Sequence, residues 1–153
     1  MARTLGASCK AEEVFLAVAA DGALVADAHE KLVLSAGVDE NARVDSALRD
    51  IKRTLTEVAP DRVRVLLPEQ TYKNSYGRIA PRVTLETLIR VACAEQDVPL
   101  EMLKRPTARA RLGASRGGNF EQATAEAVGA AVGSYWAAGR NLAAAAALAE
   151  ESS

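Results

Sequence analysis

Arg62-Val-Arg-Val-Leu-Leu-Pro-Glu69 is the stretch that sets the architecture. Val63, Val65 and Leu67 alternate as a buried strand does, and Pro68-Glu69 ends it. What precedes it decides how the strand pairs. From Asp39 to Val58 the period changes to that of a helix, with Val44, Ala47, Leu48, Ile51, Leu55 and Val58 on one stripe, Asp39 as N-cap and Pro60 as stop. A helix placed between two strands supplies a crossover, so the 62–69 strand is expected to run parallel to the first strand of the chain. That first strand lies in Arg3 to Ser8. Val14 to Ala20 follows, then Asp21-Gly22 as a hairpin signal and a third run from Ala23 through Leu34, which together predict an antiparallel three-strand meander.

Downstream, Leu85, Leu88, Ile89, Ala92 and Cys93 define a second amphipathic helix from Thr84, closed by Asp97, and Val98 to Leu103 reads as another short strand. Arg105 to Gly118, with Pro106 and three glycines, is either a flexible loop or a short helical turn plus loop, and is expected to be exposed. Asn119 caps a helix whose stripe is Phe120, Ala127, Val128, Ala131, Val132 and Tyr135, with Gly129 and Gly133 placed to let another backbone approach. Gly139 interrupts, and Asn141 to Glu151 forms a final Ala-rich helix. The predicted class is α/β, with a five-stranded mixed sheet (three antiparallel strands, then parallel additions) flanked by helices. One domain is expected over 1–153, with Ala-rich C-terminal helices from about 119.

At 153 residues, 49% hydrophobic and 25% charged, the composition fits a globular protein and excludes general disorder. Cys9 and Cys93 have no metal or CxxC spacing and are expected to be reduced and buried in a cytoplasmic protein. There is no apolar run of about 18 residues and no leader-like N-terminus, so neither a membrane span nor export is expected. The net charge is −1, but from Tyr72 to Gly118 nine Lys/Arg face four acids. Lys104, Arg105, Arg109, Arg111 and Arg116 form the densest part, with Lys73 and Arg78 nearby, and make DNA or RNA the expected partner. Tyr76 could add a stacking ring. His29, the sole histidine, has no ligand-spaced partner and reads as a strand-edge surface residue.

The order of three antiparallel strands followed by α-β-α-β-α resembles the ribonuclease H-like fold, and local segments resemble its Holliday-junction resolvase branch. Thr4-Leu-Gly-Ala-Ser-Cys-Lys10 resembles that branch's first strand, Val63 to Glu69 its fourth. Arg105-Pro-Thr-Ala-Arg109 with Gly113, Arg116 and Asn119 to Ala123 resembles the segment after the fifth strand. Gly6 to Lys10 and Pro68 to Ile89 also resemble a set of short resolvase-like bacterial proteins. The resemblance implies two-metal phosphodiester chemistry, in which divalent ions about 3.5–4 Å apart are held by carboxylates converging from several elements. Here the first-strand acid falls on Ser8, and the final-helix acids fall near Asn141, Ala143 or Ala144. Only Glu69 stands at an expected acidic position.

One carboxylate does not hold two magnesium ions, so Glu69 marks a vestigial centre, Ser8 the position of a lost acid, and no metal site or cofactor is assigned. The reading that follows is a catalytically degenerate, homodimeric resolvase-like domain that binds structured nucleic acid or acts as a scaffold, without enzymatic activity. One alternative is a divergent Mg²⁺-dependent nuclease in which Glu12, Glu13, Asp97, Glu121 or Glu126 rebuilds the site. Another is a protein-interaction module with no nucleic-acid role.

Overall fold

The computed structural model describes residues 2–34, 39–68, 75–113 and 120–151. Strands β1 (Arg3–Lys10) and β2 (Glu13–Ala20) form a hairpin, paired in register from Arg3↔Ala20 to Lys10↔Glu13. At the next turn Asp21 and Gly22 both adopt positive φ, 51° and 81°, the geometry of a hairpin turn that matches strand twist. The third run of the meander is not one strand. It divides into β3 (Ala23–Val25) and β4 (Lys31–Val33), both antiparallel to β2. The break has a local cause: Asp27 Oδ1 accepts the backbone N–H of His29 at 2.8 Å, a side-chain bond that competes with the ladder.

Helix α1 (Glu40–Val58) is capped as expected, with Asp39 Oδ1 accepting from Ala42 N at 3.1 Å. It ends at Ala59, whose φ of 51° turns the chain into Pro60. Strand β5 (Arg62–Leu66) then pairs parallel to β1, Leu5 opposite Val63 and Ala7 opposite Val65. Helix α2 begins at Tyr76, not Thr84, and runs to Glu95 with Pro81 inside it. Pro81 lacks one N–H, and the bond forfeited is to the first turn, so the helix tolerates it. Strand β6 (Leu100–Leu103) adds parallel to β5. The sheet order is β3-β2-β1-β5-β6, with β4 also on β2, giving six strands where five were expected.

Alternation divides the strands between two cores. Leu5, Ala7 and Cys9 of β1, Val14, Leu16 and Val18 of β2, and Val63 and Val65 of β5 face α1 and α2. The opposite face carries Gly6, Phe15, Ala17 and Leu66, covered by α3 (Arg105–Arg111), α4 (Phe120–Val128) and α5 (Asn141–Leu148). The 105–111 segment forms the short helix that was one of the two expectations; Ala108 is fully buried in it, while Pro106, Thr107 and Ala110 are exposed. α4 stops at Val128, seven residues before the end of the expected stripe, because Gly129 takes a φ of 71°. Nor does another backbone approach Gly129 or Gly133: an added Cβ meets nothing at the first, and the side chains of Arg140 and Glu30 at the second.

The close approach lies at Gly6. A Cβ there would stand 2.6 Å from the Ala147 nitrogen and 2.8 Å from its Cβ, with the Ala143 carbonyl nearer still. Ala143 to Ala147 are each fully buried. α5 rests directly on β1, and only a glycine below with alanines above allows that separation. Arg64, opposite Gly6 on β5, is 1% exposed and donates to the Ala147 carbonyl at 3.2 Å. The arm leading into α5 is fixed by Arg140, whose Nε donates to Leu16 O at 2.7 Å and whose Nη1 donates to the carbonyls of Val132 and Ser134.

Gly6→Ala forces α5 away from the sheet and is expected to cost about 3 kcal/mol or more in urea unfolding, at the upper end for overpacked cores. A second expectation concerns pH. His29 lies between Asp27 Oδ1 and Glu57 Oε2, 2.5 Å from each, and joins the β3–β4 segment to α1. Its pKa is raised above 6.5, first by the Glu57 hydrogen bond, against the opposing effect of burial. Protonation is thus favoured in the fold, so the stabilisation is complete below the unfolded value and lost as pH rises through the folded one. The difference in Tm between the wild type and His29→Gln is expected to shrink from about pH 5.5 to about pH 8.5; a constant difference would show that the imidazolium contributes nothing.

Candidate functional site

The carboxyl ends of β1 and β5 open into a cleft of about 650 Å³. Residues from five segments reach it. Ser8, Cys9, Lys10 and Ala11 come from the end of β1 and its turn, and Leu66 and Pro68 from the end of β5. Arg78 and Arg82 come from the first turns of α2, and Arg105 from the start of α3. Ala137, Ala138, Gly139, Asn141 and Leu142 close the remaining side. Ser8 and Asn141, far apart in sequence, therefore share one cavity because α5 is seated on Gly6.

Four cations line this cleft, Lys10, Arg78, Arg82 and Arg105, and no carboxylate is among its described lining residues. Each is placed by the local fold. Lys10 follows Ser8 by two residues and so stands on the same face of β1. Arg82 follows Arg78 by one helical turn, and its Nη1 donates to Glu86 Oε1 at 2.7 Å. Glu86 is buried, and that burial raises its pKa against the pull of Arg82. Arg105 Nε donates to Leu67 O at 3.3 Å, and its guanidinium lies 5.3 Å from the Phe120 ring centre. These contacts hold two of the cationic groups in fixed positions at the strand ends.

Other residues expected at the site lie elsewhere. Lys104 is exposed and precedes α3, while Arg109 is half-buried on that helix; neither lines the cleft. Arg111 is committed to an internal ion pair. Its two terminal nitrogens bind Glu101 at 2.6 and 2.7 Å, and Nη2 also reaches Glu151 at 3.2 Å. The Arg111 hydrogen bond is the main reason that the Glu101 carboxyl titrates below its ordinary range. Glu69, Lys73 and Arg116 fall outside the described residues. Tyr76 stands 83% exposed at the start of α2. Lys10 and Arg82 are site residues that the sequence pattern does not single out, although two-residue strand spacing and four-residue helix spacing connect them to Ser8 and Arg78.

No family model matches the chain, and no curated protein matches it in sequence. Solved structures do. A Thermus thermophilus RuvC in complex with Holliday junction substrate superposes with a TM-score of 0.72 at 18% identity, covering 97% of this chain and 92% of that one. A second Thermus thermophilus RuvC structure gives 0.72 at 19% identity, over 96% and 92%. The chain has the RuvC-like, ribonuclease H-like fold.

On this resolvase-like fold the described residues that line the cleft supply no carboxylate for a divalent cation. Hard divalent ions require several carboxylate oxygens, whereas Ser8 offers a neutral hydroxyl. Asn141 Oδ1 accepts from the backbone N–H of Leu142 at 2.9 Å. Among the described residues no three His, Cys, Asp or Glu side chains cluster for a metal. Glu12, Glu13, Asp97 and Glu126 do not line the cleft, and the side chain of Glu121 lies outside what is described. The two cysteines are free and buried, and burial lifts the Cys9 thiol well above its ordinary value and that of Cys93 to about 11. They are poor nucleophiles and poor ligands at neutral pH. No described helix is long and apolar enough to cross a membrane.

Arg111 and Arg105 should therefore separate when substituted. Arg111→Ala releases Glu101 and the C-terminal residues and is expected to lower Tm by about 2–5 °C. Arg105→Ala, on the cleft wall, should alter Tm less; the reverse ranking in thermal melts would contradict this division.

Proposed function

We propose that this chain is a catalytically degenerate, resolvase-like domain that binds structured DNA or RNA through its phosphates, acting in the cytoplasm as a homodimer. The observation that carries the reading is the composition of the cleft. At the sheet end where the family resemblance implies metal-holding acids, Ser8 and Asn141 are accompanied by Lys10, Arg78, Arg82 and Arg105. Four cations and neutral polar groups attract the oxygens of a phosphodiester directly. They also repel the divalent ions that cleavage would need. The RuvC of similar fold was solved with a Holliday junction substrate, which supports a branched nucleic acid as the ligand class.

Phosphate contact is positioning chemistry. Arginine guanidinium groups present flat, multiple donors to phosphate oxygens, and the fixed carbonyl and carboxylate partners of Arg105 and Arg82 reduce the entropy lost on binding. Arg78, Lys10 and Lys104 add charge around them. Arg109, Lys73 and Arg116 extend the same basic set in this reading. Arg111 contributes mainly by holding α3 to β6.

The test is a fluorescence-anisotropy titration of labelled four-way junction, duplex and single-stranded oligonucleotides at several salt concentrations with Mg²⁺, followed by a gel of the same samples. Binding is expected to weaken steeply with salt, with a log–log slope of about −3 to −4 for four phosphate contacts. Arg82→Ala or Arg105→Ala should each reduce that slope by about 1. The oligonucleotides should remain intact. Absence of binding at low salt would remove the nucleic-acid reading, and Mg²⁺-dependent cleavage abolished by Glu69→Gln would replace a binder with a nuclease.

A further inference from the structure

Glu86 stands one helical turn beyond Arg82, on the buried side of α2. Among the described residues it is the one acid that is buried, 7% exposed, and it does not line the cleft that Arg82 lines. Its two oxygens are served differently. Oε1 accepts from Arg82 Nη1 at 2.7 Å, whereas Oε2 is buried with no hydrogen-bond partner. A buried carboxylate oxygen that accepts nothing is costly while the group is charged, and far less so once the group holds a proton. Burial accordingly pushes the Glu86 carboxyl above its ordinary range, against the pull of Arg82 and, more weakly, of Arg90.

The elements packed against this part of α2 leave the charge of Glu86 to Arg82. On β1, Cys9 lies close enough to feel that charge, and burial keeps its thiol protonated at neutral pH. β2 presents apolar Val14 and Leu16 to the same core. On α1, Arg43 is engaged by Glu40 at 3.2 Å and by Glu12 at 3.9 Å, and Lys52 pairs with Glu95 at the far end of α2. Arg82 is therefore the link between the buried acid and the cleft. A guanidinium carries several N–H donors, so Arg82 can hold Glu86 through Nη1 and meet a phosphate oxygen through its other nitrogens. Two anions then share one cation, and each makes the other's charge harder to keep. A phosphodiester does not take up a proton near neutral pH, so Glu86, already buried, is the one to yield.

We propose that Glu86 is a positioning residue that couples phosphate binding at Arg82 to the uptake of a proton. As a phosphodiester settles against Arg82, a proton from solvent moves onto the Glu86 carboxyl, and the charge of the guanidinium is left to the ligand. The inference rests on the nucleic-acid reading above and gives that binding a pH dependence. Because the bound state holds more protons than the free state, linkage requires affinity to rise as pH falls through the titration of Glu86 and to decline as pH rises, when the ionised acid competes for Arg82.

The experiment is calorimetric titration of the full chain with four-way junction, duplex and single-stranded oligonucleotides at fixed salt, from about pH 8 to about pH 5.5, in paired buffers of different ionisation enthalpy. The wild type is expected to take up as much as about one proton per bound chain, its affinity rising by at most about tenfold per pH unit. Glu86→Gln keeps an oxygen for Arg82 but does not titrate. It is expected to lose that proton uptake and to hold, at every pH, the affinity that the wild type reaches at the acid end. Glu86→Met, of similar length and apolar, should be equally insensitive to pH and serves if the amide unsettles the fold. His29 titrates in all three proteins, so the difference between them isolates Glu86. Equal proton uptake in the wild type and both variants overturns the role of Glu86 and leaves phosphate binding standing. Loss of binding at every pH in a folded Glu86→Gln also overturns it, because the charge itself would then be what positions Arg82. No binding of any oligonucleotide by the wild type at any pH overturns the nucleic-acid reading and this inference together.

Discussion

The contact of α5 with Gly6 governs the positions of most of the groups discussed. β1 is the central strand, bordered by β2 and β5, and Gly6 lies in its middle. With no side chain there, the backbone of α5 descends onto the strand and brings its N-terminal residue, Asn141, to the same cleft as Ser8. One row of register partners, Ala17, Gly6, Arg64 and Glu101, crosses β2, β1, β5 and β6 beneath the helix. Arg64 donates up to Ala147 and has Nε 3.5 Å from Glu101 Oε1; Glu101 in turn holds Arg111 on α3. Helix seating, sheet register and the placement of α3 are thus connected through a single transverse row.

Among the described residues the cleft carries cations, and no carboxylate of the kind that metal-dependent hydrolysis would demand. Carboxylates clustered at a strand end repel one another and need bound cations to remain together. Ser8 and Asn141 impose no such repulsion, and Arg82 at the cleft wall is matched by the buried carboxylate of Glu86. Burial disfavours the charge on Glu86, yet its bond to Arg82 keeps a guanidinium at the cleft wall.

Elements whose cues are local are legible in the sequence. Asp39 before an apolar stripe, Asp21-Gly22 between alternating runs, and Val63 to Leu67 after a helix each carry their own physical signal, and each element forms where that signal places it. Elements governed by distant contacts or by local competition are less legible. Asp27 breaks the third strand through a side-chain bond, Gly129 ends α4 inside an apolar stripe, and Pro81 sits within α2. Gly6 stands out in the sequence as part of a motif, whereas its steric role depends on α5 lying above it. At the site, Ser8, Arg78 and Arg105 converge as their positions on the fold imply, but Arg111 is indistinguishable from its basic neighbours until Glu101 is placed beside it. Charge density in a sequence does not distinguish cations facing a ligand from cations already matched within the fold.

Asn141-Leu-Ala-Ala-Ala-Ala-Ala-Leu148 has the composition of a low-complexity segment, the kind of run that is commonly supposed to drift freely. Its surroundings reverse that expectation. Ala143 to Ala147 are fully buried, with strands on one side of the helix and α4 on another, so a larger side chain at any of the five would have to displace packed neighbours. Glycine fits the volume but weakens the helix. The permitted alphabet over this run is close to one letter, and the plainest stretch of the chain is among its least replaceable.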